Sequence, residues 1–277
     1  MAHTMLRAEQ RDPVERDCGK GYSGSRGGVK SGRRPATRPS LNGLIMCSRY
    51  SLTSPAEAVR ALFKVGGSET FPPRYNIAPT QPAHIVRVSA AGERELTLVR
   101  WGLIPSWVKD PNAFTTLINA RTDTVLQKPS FRNAMKYRRC LVPADGFYEW
   151  TGVSPNKRPH LIRPIAQRNA PSVLMGFAGL WEHWMSADGS ELETMAILTT
   201  EANATVAEIH DRMPVILAPE AWDAWLDVRG VPDKEAAQML KPAPDDLLEL
   251  FEVNKALGNS RNDGPELQRR VEQGRLI

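Results

Sequence analysis

No stretch of the 277-residue chain approaches the roughly 18 consecutive apolar residues that a membrane-spanning helix needs. The N-terminus lacks the apolar core of a secretory signal. Cysteine is scarce: Cys18, Cys47 and Cys140 are an odd number without metal-ligand spacing, which argues against a disulfide scaffold or a zinc site and for a reducing interior. There is no phosphate-cradling Walker loop, no dinucleotide-binding glycine fingerprint and no Gly-x-Ser-x-Gly elbow, so nothing in the sequence calls for a metal or a cofactor. No repeat is visible. What is present, 41% hydrophobic and 24% charged residues, is ordinary globular composition.

Positive charge is also scarcer than the net +5 suggests. Residues 1–45 hold nine Lys/Arg against four Asp/Glu, and the remainder holds 27 of each sign. The excess therefore belongs to a Gly-, Ser-, Arg- and Pro-rich leader, which is expected to be disordered because it has little apolar surface to bury. A start codon assigned upstream of Met46, or removal of the leader, is the simplest expectation. Within the neutral remainder, Arg121, Lys128, Arg132, Lys136, Arg138 and Arg139 face only Asp123. Such a run is either a solvated face or a phosphate track.

From Arg49 onward the pattern is globular. Ser54-Pro55-Ala56-Glu57 predicts an N-cap and a helix to about Val65. Alternation predicts strands at His84–Val88 and Glu95–Trp101. A helix is expected around Val125–Ala134. Cys140–Trp150 predicts a strand, an Asp145-Gly146 turn and a second strand. Further strands are expected at Leu161–Pro164, Val173–Leu180 and Met195–Thr199. Short helices or turns follow at Thr205–His210, Pro219–Leu226, Lys234–Leu240 and Asp245–Leu248, with a polar tail from about 266. Many short strands with interspersed short helices make a single β-rich α+β domain over 46–277, with the helices peripheral.

Several side chains could carry chemistry. Cys47 follows Met46, and as a chain terminus it would hold an amine and a thiol on one carbon frame, a 1,2-aminothiol that captures aldehydes; as an internal residue it would be small buried packing. His210 is the side-chain type that titrates near neutrality, although a plain core or surface histidine is the default. Glu149 lies between aromatics that could desolvate it into a general acid/base, or it is an edge-strand glutamate with its head in water. Asn119 either orients a substrate oxygen or caps a turn. Arg49, Arg121 and Arg212 each stand two residues after Cys47, Asn119 and His210, so extended segments would put each pair on one face. Guanidinium forks so placed match phosphate. Trp101 and Trp107 either stack on bases or pack in a core. Trp181 and Trp184 are read as structural, His160 as non-catalytic, and Cys140 as buried and inert.

Met46-Cys-Ser-Arg-Tyr50, Arg74-Tyr-Asn-Ile-Ala-Pro79, Arg100–Trp107, Asn119-Ala-Arg121, Cys140–Trp150, Leu198-Thr-Thr200, His210–Val215 and Asn262-Asp-Gly264, in that order, resemble the SOS response-associated peptidase (SRAP) family. The resemblance implies a compact β-rich fold with a positively charged channel for single-stranded DNA. It also implies that abasic sites are shielded by a thiazolidine cross-link to Cys47, with β-elimination as a side activity. It implies catalytic roles for Cys47, Asn119, Glu149 and His210. Arg49, Arg121 and Arg212 would bind phosphates, and Trp101 with the Pro79 region would form a wedge where duplex meets single strand. No cofactor is implied. The expected partners are abasic single strands and single/double-strand junctions, with the protein a cytoplasmic monomer, nucleoid-associated in a bacterium. Ser48 stands where the family motif has Gly. Two other functions fit the same residues: a cysteine-type (auto)peptidase using Cys47, His210 and Glu149, and a non-covalent single-strand binding module.

Overall fold

The structure, a computed structural model, describes residues 48–165 and 174–271. Cys47 and the leader lie outside the described residues, as does the end of the polar tail.

Thirteen strands are formed among the described residues: β1 Tyr50–Leu52, β2 Arg74–Ile77, β3 Pro82–Val88, β4 Arg94–Trp101, β5 Asn119–Arg121, β6 Arg139–Ala144, β7 Gly146–Thr151, β8 Arg158–Pro164, β9 Met175–Met185, β10 Glu191–Glu201, β11 Arg212–Pro214, β12 Ile216–Leu217 and β13 Leu248–Glu252. The helices are short: α1 Ala56–Phe63, α2 Arg132–Tyr137, α3 Ala204–Ala207, α4 Trp222–Leu226 and α5 Asp233–Ala236. No helix of the described residues is long and apolar enough to cross a membrane. The class is the β-rich α+β expected.

Five strands close a barrel. β10 pairs β4 in parallel, β4 pairs β3, β3 pairs β6, β6 pairs β9, and β9 returns to β10 as a long antiparallel hairpin. Closure leaves no free edge around that ring. A second sheet runs in the order β13-β8-β7-β1-β2. The two sheets meet through aromatic side chains. The Tyr50 ring lies edge-on to Trp101 at 5.2 Å and to Phe177 at 6.3 Å, and Phe147 meets Phe177 at 6.0 Å. All four rings are fully buried, each contributing roughly 1.5–3 kcal/mol of transfer free energy. In the same core, α4 lays Trp222 flat on Phe63 at 4.3 Å. Trp225 donates its indole N–H to the Cys140 carbonyl at 2.8 Å.

Four local expectations are corrected. Asp145-Gly146 is not a hairpin turn, because β6 belongs to the barrel and β7 to the second sheet, and the chain crosses between them there. Gly146 is needed for close approach: an added Cβ would stand 2.8 Å from Leu161 Cδ1 and 3.0 Å from the Ile162 carbonyl. Ser54 does not cap α1. Its hydroxyl donates to Asp145 Oδ1 at 2.6 Å, and Pro55 holds the cap position without a side-chain bond. The helix expected over 125–134 is displaced to α2, since Pro129 disfavours helical backbone at Lys128 and the chain turns until Arg132. Asp245–Leu248 leads into a strand, β13, because β8 supplies it with a partner.

Two members of the basic run are held by the fold. Arg139 is buried and donates to the carbonyls of Trp225, Met135, Asp227 and Val231. Arg138 pairs with the buried Glu182 at 2.7 Å. These two charges are structural.

Candidate functional site

The C-terminal half of β10 gathers three of the candidate residues. On one side β5 runs parallel to it, setting Asn119 opposite Ile197 and Arg121 opposite Thr199. On the other, β11 runs antiparallel, setting Arg212 opposite Glu201 and Pro214 opposite Thr199. One carbonyl ties the two sides together: Thr199 O accepts from Arg212 Nη2 at 2.5 Å and from the Thr122 N–H at 3.0 Å. Arg212 is half-buried, and its proton affinity falls below the usual guanidinium range through burial and then through the nearby positive charge of Arg121. Its Nε is buried without a hydrogen-bond partner among the described residues. A guanidinium held beside another, with an unused donor, is an anion site in waiting.

His210 belongs to the same cluster. Asn203 caps α3 by accepting from the Val206 N–H at 3.0 Å, and the His210 N–H continues the turn to the Val206 carbonyl at 2.9 Å. The ring is 8% exposed. Its Nδ1 accepts the Arg212 backbone N–H at 3.1 Å and also stands 3.0 Å from Asp211 Oδ1. Both contacts use one nitrogen. While Arg212 donates to it, Nδ1 is an acceptor and Nε2 carries the proton; a proton on Nδ1 would be received by Asp211 instead. Burial pushes His210 below the ordinary imidazole range, with Asp211 opposing, so the neutral ring is favoured at pH 7.

Glu149 and Arg49 stand on the second sheet. Glu149 is 1% exposed, on β7 opposite His160 of β8. β1 aligns antiparallel to β7 with Tyr50 opposite Phe147 and Ser51 opposite Gly146. The Tyr148 N–H extends the ladder to the Arg49 carbonyl at 3.0 Å. One further step of that register faces Ser48 with Glu149. Arg49 is half-buried, and its Nη1 donates to the Ser48 carbonyl at 3.0 Å. Its Nε is buried and without a partner among the described residues. Burial lowers its pKa as well.

Trp101 joins the two groups, and its expected wedge role is corrected. The indole is fully buried, so no base can stack on it. Its ring meets Tyr50, and its Nε1–H donates to the Ile118 carbonyl at 2.9 Å, the peptide preceding Asn119. The side chain is thus a spacer between β1 and β5. Pro79 is half-buried at the tip of a turn closed by Gln81 N–H to Ala78 O at 3.2 Å, and the adjacent Thr80 N–H reaches Trp101 O at 2.7 Å. The exposed indole of the Arg100–Trp107 segment is Trp107, 57% accessible. Trp181 and Trp184 are packed residues, and burial pushes the Cys140 thiol up and leaves it inert.

Sequence reasoning missed two carboxylates. Asp123 grips Arg121 with Oδ2 2.6 Å from Nη2 and Oδ1 3.2 Å from Nε, and Asp211 sits against His210. The only signal was adjacency to a candidate residue.

A family model described as SOS response associated peptidase (SRAP) matches residues 46–260. The chain is 35% identical over 225 residues to the abasic site processing protein YoqW of Bacillus subtilis (strain 168), covering 80% of this chain and 98% of that protein. It is 33% identical over 226 residues to the abasic site processing protein HMCES of Xenopus tropicalis, covering 73% and 67%. A solved protein of Bacteroides thetaiotaomicron is similar with a TM-score of 0.71 at 29% identity, covering 81% of this chain and all of that one. A Bordetella bronchiseptica protein follows at 0.63 and 29%, covering 75% and 100%.

Proposed function

Since the chain belongs to the SOS response associated peptidase (SRAP) family, we propose that it processes abasic sites in single-stranded DNA by covalent capture on Cys47. The relatives' names supply the substrate class. The observation that carries the chemistry is the register of β1 on β7. It runs the segment immediately after Cys47 along the strand bearing the enclosed Glu149. Through Tyr50 and Trp101 the same segment is tied to the peptide before Asn119.

In this proposal Met46 is removed and Cys47 is the terminus. The start of the family match at residue 46 supports that boundary. The α-amine adds to the C1′ aldehyde of the open abasic sugar and loses water to give an imine. The thiol then adds across C=N, forming the S–C1′ bond while its proton passes to nitrogen, and a thiazolidine results. Glu149 moves protons at the amine and imine. His210 presents its Nε2–H to the sugar and can exchange it by the switch at Nδ1, which promotes ring opening. Asn119 positions the sugar, and Arg49, Arg121 and Arg212 take flanking phosphates. With Trp101 enclosed, the contact at a duplex junction falls to the Pro79 turn. The imine also permits β-elimination: a base takes a C2′ proton and the C3′–O bond breaks, a minor lyase activity. The protein acts as a monomer.

Incubating Cys47-start protein with an abasic single-stranded oligonucleotide and resolving the mixture on a denaturing gel tests this. A heat-stable adduct is expected, abolished by Cys47→Ala. An adduct that survives this substitution, or none from the wild type, overturns the proposal. The 277-residue form is expected to be silent, because its Cys47 nitrogen is a peptide nitrogen.

A further inference from the structure

Resting on the DNA-binding role proposed above, we infer that Asp123 is an internal stand-in for a backbone phosphate, occupying the Arg121 fork until a strand displaces it and so holding down affinity for intact DNA. The contact has the two-pronged form that phosphate itself uses: Oδ2 to Nη2 at 2.6 Å and Oδ1 to Nε at 3.2 Å. The pair is accessible, with side chains 55% and 49% exposed. An exposed ion pair is held weakly, so it opens readily to a polyanion that brings a phosphate to each arginine. The surrounding charges carry the same meaning. Asp123 and Asp211 both act on Arg121 and Arg212, and Glu201 acts on Arg212 as well, so carboxylates offset both guanidiniums before DNA arrives.

Part of the energy of each phosphate contact is then spent on releasing Asp123. An undamaged strand gains little and leaves. An abasic strand is retained by its covalent bond, so selectivity resides in the chemistry rather than in the affinity.

Binding of a fluorescent, undamaged single-stranded oligonucleotide to the full chain, followed by anisotropy at about 0.1 M salt, tests this. Asp123→Asn is expected to bind about threefold to fivefold more tightly, the range an exposed pair supports. Asp123→Glu, which keeps the carboxylate, should stay near wild type. In an Arg121→Ala background Asp123→Asn should change nothing. Unchanged or weaker binding by Asp123→Asn, with Arg121→Ala still weakening it, overturns the stand-in role alone, since the carboxylate would then be orienting the fork. A gain that persists without Arg121 overturns it too, as a diffuse charge effect. If neither Arg121→Ala nor Arg212→Ala alters binding, the DNA-binding role itself fails and the inference with it.

Discussion

At the scale of single residues, burial decides which groups remain available for chemistry. Burial holds His210, His84 and His160 below the ordinary imidazole range. The sign follows from linkage: an unfolded chain protonates near pH 6.5, the folded rings only at lower pH, so acid favours unfolding. The stability these rings contribute is complete above about pH 6.5 and is lost as pH falls through their folded values. Thermal melts between pH 7.5 and 5 should slope downward, and His84→Gln should flatten part of that slope. A slope unchanged by His84→Gln would assign the acid sensitivity elsewhere. Trp101 gives a second prediction. Trp101→Phe keeps most of the apolar volume but leaves the Ile118 carbonyl without its donor, a loss of roughly 1–3 kcal/mol. Denaturant unfolding measures that cost. Because the lost bond seats the peptide before Asn119, adduct formation should slow more than DNA binding weakens.

At the scale of elements, the crossing between sheets rests on one carboxylate. Asp145 accepts from the backbone and hydroxyl of both Thr53 and Ser54, which fixes where β1 ends and α1 begins. Asp145→Ala strands four donors and should cost roughly 2–4 kcal/mol in urea titration. A loss under about 0.5 kcal/mol, the level of an ordinary surface change, would refute that role. Nothing in the dipeptide Asp145-Gly146 distinguished this from a hairpin, because the donors lie about ninety positions away in sequence. The same limit explains the other misreadings. Alternation was enough to find β3 and β4, since a period-two pattern is local, whereas β10, buried throughout its middle, shows in the sequence as an apolar run. β13 was hidden because its partner β8 decides its conformation, and stacking and packing stayed open for Trp101 because its burial comes from Tyr50 and Ile118. Glu149 and Asn119 could be named by resemblance to a family, but the register that brings β1 beside Glu149 is a tertiary fact. Tyr148 adds a test at this scale. Burial pushes its phenol up to about 12 while its hydroxyl donates to Tyr75 O at 2.7 Å and accepts from Gln268 at 2.9 Å. The folded state thus favours the neutral phenol, and stability should fall as pH rises from about 10 toward 12, by at most roughly 2–3 kcal/mol. Tyr148→Phe should lose most of that alkaline decline in melts at pH 8 to 11.

At the scale of the molecule, charge and connectivity set how the site meets its partner. Residues 46–277 are neutral overall, so the proposed attraction to DNA rests on a few placed arginines rather than a general field. With Arg49, Arg121 and Arg212 each neutralising one phosphate, log K against log salt should have a slope of about −2 for a single strand. A slope several times steeper would mean that other basic residues carry the binding. The second sheet is held shut by a distant segment. Asn76 donates to the carbonyls of Leu257, Asn259 and Asn262, and Asp263 accepts from Arg74 Nε at 2.8 Å. β10 draws together strands from far apart in the chain, taking β4 and β5 in parallel from before it and β11 from after it. That arrangement sets a timetable. Arg121 is synthesised well before β10 exists to receive it, and Arg212 must follow before the cluster can close. At 5–20 residues per second the interval between them is roughly ten seconds. A nascent chain in that window carries its cysteine without the groups proposed to arm it, so on the proposed function capture of DNA waits until His210 and Arg212 have been made.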